Sequence, residues 1–147
     1  IILKKLFGTI SEKKIAILGF SFKADTNDTR ESPAIFICKK LIEEGANLYI
    51  YDPKVNNNQI DYDLKRVLEK SFHEKDLWQC CELIEEATNN ADAAVILTEW
   101  DEFKKLNWND INKMMRQPAW IFDTRSTIEI KKLANKNINI WQTGFGN

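Results

Sequence analysis

The 147-residue sequence has a single histidine, His73, and three cysteines, Cys38, Cys80 and Cys81. That stock cannot assemble a zinc-type ligand set, so no metal site is expected. An adjacent pair plus one distant cysteine is not a disulfide framework either, and reduced thiols in a cytoplasmic protein are the expectation. Charge of one sign is also missing. Lys and Arg total 21 against 22 Asp and Glu, a formal net charge of −1, which gives no footprint for nucleic acid and no attraction to anionic membranes. No apolar run approaches the roughly 20 residues a membrane span requires, and the opening IILKKLFGTI is too short and too interrupted by lysines for a secretory signal. Glycine is scarce as well, with five in all. The segment LGFSFKADTNDTRESP, Leu18 to Pro33, carries only Gly19, where the dinucleotide fingerprint G-x-G-x-x-G needs three.

What is present alternates. KKIAILGF (13–20) holds the continuous apolar run of a buried parallel strand. Ser32 and Pro33 then supply an N-cap and a first helical residue without an N–H to orphan. Ala34, Ile37, Cys38, Leu41 and Ile42 recur at helical spacing, and Gly45 ends that helix in a left-handed cap. NLYIYDP (47–53) is a second strand. Residues 54–75 are polar, with Asn56–Asn58 marking a turn before a short helix over Leu64–Leu68. A strand is expected in DLWQCCEL (76–83), a helix in IEEATNNAD (84–92) and a strand in AAVILTEW (93–100). DEFKKL and WNDINKMM predict two short helices, AWIFDTR (119–125) a strand after Pro118, EIKKLAN (129–135) a helix, and INIWQTG (138–144) a last strand. Parallel neighbours need crossover helices, so the alternation predicts an α/β fold: a doubly wound, mainly parallel, Rossmann-like sheet with helices on both faces.

In such sheets ligands bind outside the carboxyl ends of the strands. That rule selects the 19–32 loop, Asp52 with Pro53, the 98–100 turn with Glu99 and Trp100, and Asp123 to Arg125. The first loop places Lys23 and Arg30 before the positive end of a helix, which helix stability alone would not select. An anion site, with these cations and backbone N–H groups meeting phosphate oxygens, is the chemistry the pattern suggests. Arg125 offers a planar, forked donor from another strand end. Asp52 stands where Rossmann folds keep a ribose-binding acid, but it lies 33 residues past Gly19, not about 20.

Taken in order, KKIAILGFSFKADTNDTRESP, YDPKV, TEWDEF and IFDTR resemble the C-terminal, UDP-binding domain of the UDP-glucose 6-dehydrogenases, in the UDP-glucose/GDP-mannose dehydrogenase family. The likeness spans residues 13–147, and LFGTI, within residues 1–12, resembles the end of the long helix that joins this domain to a central one. It implies an NAD-dependent enzyme that oxidises UDP-glucose twice at C6 to UDP-glucuronate, with NAD held mainly by another, N-terminal domain. By motif, Phe22, Lys23 and Arg125 fall on substrate-contacting positions and Arg30 on one that reaches NAD. Phe20 is a further candidate, expected either to pack on the nucleotide or to serve as an ordinary core aromatic. The family's catalytic cysteine sits in a GFGGSCF-like motif absent here, so no residue of this chain is assigned as catalytic. The resemblance also implies a homo-oligomer, and five tryptophans raise the alternative that the domain serves assembly, through exposed indoles. A sister specificity, for UDP-N-acetylmannosamine or GDP-mannose, is the other alternative.

Overall fold

The computed structural model describes residues 11–135 and 137–143. The expected helix end over residues 1–12 falls almost wholly outside them. Six strands form one parallel sheet: β1 Lys14–Leu18, β2 Asn47–Tyr51, β3 Trp78–Cys80, β4 Ala93–Ile96, β5 Trp120–Asp123 and β6 Asn139–Gln142, in the order β3-β2-β1-β4-β5-β6. The order reverses direction between β1 and β4, which are hydrogen-bonded neighbours. The four residues of β4 and four of the five in β1 are buried, as expected where both sheet faces are covered.

Among the described residues five α-helices cover the sheet: α1 Pro33–Glu43, α2 Asn57–Val67, α3 Ile84–Thr88, α4 Asp101–Lys104 and α5 Trp108–Met114. Alternate residues of the strands divide between two cores. Ile15, Ile17, Leu48, Ile50 and Val95 meet α1 and α2 on one face. Ala16, Leu18, Ala94, Ile96 and Ile121 meet Ala87 of α3, Phe103 of α4 and Trp108 of α5 on the other. At roughly 1.5–3 kcal/mol for each large apolar side chain removed from water, these two layers supply the main favourable term of folding.

The caps of α1 follow expectation. Ser32 accepts from Ala34 N, Pro33 opens the helix, and Gly45 has φ +97°, with its N–H on Ile42 O. Two expectations are corrected. The Asn56–Asn58 run is not a turn before a short helix. Asn56 is an N-cap whose Oδ1 accepts from Gln59 N at 2.8 Å, so α2 begins at Asn57 and runs well ahead of Leu64. EIKKLAN does not form a helix; only a 3₁₀ turn, Ile130–Lys132, is made. There Asn109 Oδ1 accepts from Ala134 N and Asn135 N, and its Nδ2 donates to Asn135 O, so a side chain claims backbone groups a helix would need. Among the described residues no helix is long and apolar enough to cross a membrane.

Candidate functional site

The carboxyl ends of β1, β2, β4 and β5 converge on the 19–32 loop. Gly19 begins it at φ +97°, and a Cβ there would meet Thr98 Cβ and Oγ1 at 2.5 Å, so only glycine fits both the angle and the space. Gly19 N donates to Tyr51 O at 2.8 Å. The next two amides turn to Asp52, whose Oδ2 accepts from Phe20 N at 2.7 Å and Ser21 N at 3.0 Å. Thr98 Oγ1 donates to Ser21 O, and Ser32 Oγ donates to Phe20 O while capping α1. Three neighbouring segments thus fix the peptide groups that precede Phe22.

Beyond this anchor the chain turns outward. Phe22 is 43% exposed, a high value for a phenylalanine. Lys23 is exposed beside it, and its ammonium makes no ion pair among the described residues. No acidic residue stands in the first turn of α1, which leaves the positive helix end uncompensated. Arg125 rises from the end of β5. Its Nε donates to Leu97 O at 3.1 Å and lies 3.5 Å from Glu99 Oε2, so it is tied to the strand end beside the loop. Beneath it Asp123 accepts from Arg125 N, Ile128 N and Gln142 Nε2. A hollow of about 540 Å³ opens at the end of β2, lined by residues that include Tyr51, Asp52, Lys54, Asn56 and Glu82 but by none of Phe22, Lys23 and Arg125. An aromatic ring, a free ammonium and a forked guanidinium on one rim suit an anionic ligand with a planar group.

Residues 16–130 match the model for the UDP-glucose/GDP-mannose dehydrogenase family, UDP binding domain. The chain belongs to that family. It is 49% identical to the UDP-glucose 6-dehydrogenase of Bos taurus over 87% of its own length and 26% of the bovine protein's. It is 40% identical to UDP-glucose 6-dehydrogenase 4 of Arabidopsis thaliana, over 97% of this chain and 32% of the plant protein. Among solved structures, a UDP-D-ManNAc dehydrogenase from Pyrococcus horikoshii superposes with a TM-score of 0.68 at 29% identity, covering 94% of this chain and 27% of that one. The chain thus spans about a quarter to a third of the length of these relatives.

The UDP-glucose/GDP-mannose dehydrogenase domain departs from a dinucleotide site in two ways. Ser21 stands where the second fingerprint glycine would be, and Thr98 packs against the single glycine, Gly19. The acid at the end of β2, Asp52, is turned onto the loop's own amides instead of outward. The first βα turn therefore lacks two features of a dinucleotide turn. Arg30 lies further along the same loop. Its side chain is 88% exposed and held only within the loop, with Nε and Nη2 on the Asp28 carboxylate at 3.0 and 2.9 Å. Those hydrogen bonds hold the Asp28 carboxyl down to about 2.

Other expectations fail on burial. Phe20 is wholly buried against the α1 face, so its ring packs the core and not a nucleotide. None of the five tryptophans is exposed: Trp100 and Trp108 are buried, and Trp78, Trp120 and Trp141 are half-buried. The cysteines are free thiols and poor nucleophiles. Burial pushes the Cys38 thiol well above its usual range and Cys80 up to about 12, and raises Cys81 as well, whereas thiolates are the reactive form. Among the described residues no group of three or more His, Cys, Asp or Glu is placed to hold a metal. Sequence reasoning missed Asp52 as the anchor of the loop. The signal was its place at a strand end facing Gly19, but chain spacing does not reveal which amides a carboxylate meets.

Proposed function

We propose that this chain is the substrate-nucleotide domain of an NAD-dependent UDP-glucose 6-dehydrogenase, which takes UDP-glucose to UDP-glucuronate by two successive oxidations at C6. The observation that carries this reading is the fastened 19–23 segment. A strand–loop–helix of dinucleotide type turns its acid and its glycine gap inward and presents Phe22 and Lys23 outward at the switch point. Lys23 contributes a compact charge to the phosphates, Phe22 a ring to the nucleotide, and Arg125 planar donors to phosphate or sugar hydroxyls. The UDP does not react, so its binding energy acts remotely to place C6 for hydride transfer.

NAD is held mainly by a domain outside this chain, and Arg30, outward and tethered only to Asp28, is the residue that reaches it. Three free thiols fit a reducing, cytoplasmic setting. In the full-length protein Phe36, Tyr62 and Leu83, each about 60% exposed, are surfaces for a homo-oligomer. Steady-state kinetics of the full-length enzyme with UDP-glucose, UDP-N-acetylmannosamine and GDP-mannose tests the assignment. UDP-glucose is expected to give the highest kcat/KM, and a preference for either of the others overturns that specificity. The 147-residue chain alone is expected to form no NADH from UDP-glucose and NAD.

A further inference from the structure

Asp52 stands at the end of β2 with its carboxylate turned onto the amides of the neighbouring loop. Only 9% of its surface is exposed, and five donors converge on its carboxylate. Oδ1 accepts from Lys54 N at 2.8 Å and Val55 N at 3.0 Å, the ordinary bonds of an aspartate that closes its own turn. Oδ2 accepts from Phe20 N, Ser21 N and the Trp100 indole Nε1 at 2.7, 3.0 and 3.3 Å, from partners 31 to 48 residues distant in sequence. Turn closure does not account for those three. The first two orient the peptide groups immediately ahead of Phe22 and Lys23, by charge-assisted bonds, which are the strong kind. Trp100, whose indole is a donor only, belongs to the turn that also carries Thr98 and Glu99. Thr98 Oγ1 donates to Ser21 O, while Leu97 O, one residue earlier, accepts from Arg125 Nε, which also lies 3.5 Å from Glu99 Oε2. The TEW turn and Asp52 together therefore join the two halves of the rim.

We propose that Asp52 is a positioning residue for nucleotide capture, with Trp100 acting through it: the carboxylate sets the Phe20–Ser21 backbone that aims Phe22 and Lys23 at the substrate. This rests on the reading of Phe22 and Lys23 as substrate contacts. Asp52→Asn keeps shape but turns an NH₂ donor onto N–H donors on one side or the other, since an amide has only one acceptor oxygen. Trp100→Phe keeps an aromatic ring and removes only the third donor.

The test uses the full-length dehydrogenase that carries this chain. UDP and NAD affinities are measured by calorimetry, with melting temperature and amide exchange at Phe20 and Ser21 alongside. Asp52→Asn is expected to weaken UDP about tenfold or more while NAD stays within about twofold, with faster exchange at both amides. Trp100→Phe is expected to weaken UDP about threefold, and to add almost nothing in an Asp52→Asn background, because both act through one oxygen. Wild-type UDP affinity in either folded variant overturns the positioning role. So does an equal loss of UDP and NAD affinity that tracks a lowered melting temperature. Should Asp52→Asn fail to fold, Trp100→Phe decides by the same comparison. Absence of UDP binding by the wild-type enzyme overturns the functional reading itself, whereas unchanged variants of a UDP-binding enzyme overturn only the role of Asp52 and Trp100.

Discussion

The two halves of the β1–α1 loop are held by different means. Residues 19–21 are fixed from outside, by Tyr51, Asp52, Thr98 and Ser32, all contributed by other strand ends or by the following helix, and Ser21 Oγ in turn donates to Lys23 O. Residues 24–31 are fixed mostly by themselves. Thr26 Oγ1 accepts from Asp28 N, Asp28 grips Arg30, and Asp25 and Glu31 sit at φ +65° and +60°, angles that side chains other than glycine adopt at some cost. One bond, Phe22 N to Asp28 O at 2.7 Å, joins the halves. The sheet fixes the backbone that leads into Phe22 and Lys23, while Arg30 is held by its neighbour Asp28.

Perturbing the first half should cost most. Gly19→Ala puts a methyl group within 2.5 Å of Thr98 at a positive φ. It is expected to lower stability by about 3 kcal/mol or more, the scale of backbone strain plus a core clash, read as a fall in melting temperature. Next come Lys23→Ala and Arg125→Ala in the full-length enzyme. Each is expected to weaken substrate capture by roughly 1.5–3 kcal/mol, the scale of a charge-assisted bond, or about tenfold or more in kcat/KM, with melting temperature unchanged. Arg125→Lys is expected to recover only part of this, because an ammonium lacks the planar fork. Wild-type kinetics in these variants would remove both residues from the site.

The self-held half should respond differently. Arg30→Ala is expected to raise the KM for NAD and leave that for UDP-glucose near wild type. It should also free the Asp28 carboxyl, whose value is expected to rise from about 2 toward the ordinary range near 3.9, followed by an NMR pH titration. The sign follows from the direction. A carboxyl depressed by folding adds stability above its unfolded value, and that contribution disappears as pH falls from about 4 through about 2. The smallest effect is expected for Glu99→Gln. Its contact with Arg125 is 3.5 Å long and both side chains are more than a third exposed, so stability should change by less than about 1 kcal/mol. A larger loss would mean that Arg125 is held mainly by Glu99 and not by Leu97 O.

Much of this was legible in the chain. Continuous apolar runs identified β1 and β4, and Ser32–Pro33 with Gly45 bounded α1, because local propensity and the global fold agree there. The positions of Lys23, Arg30 and Arg125 at strand ends also followed from the alternation of elements. What stayed hidden depended on contacts across the sheet. Asn109 reaches 25–26 residues along the chain to unmake the helix expected at 129–135. Asp52 meets Phe20 and Ser21 through the sheet order, which no spacing rule encodes. Phe20 and Phe22 look alike in sequence, two positions apart where strand alternation would put them on one side, yet the loop buries one in the core and exposes the other.

The central claim is that this loop holds the nucleotide of a sugar donor and not a dinucleotide. Calorimetric titration of the 147-residue chain with UDP and, separately, with NAD tests it most directly. The account predicts saturable UDP binding that weakens about tenfold or more in Lys23→Ala, with negligible heat from NAD. Micromolar NAD binding, or UDP binding indifferent to Lys23, would contradict it.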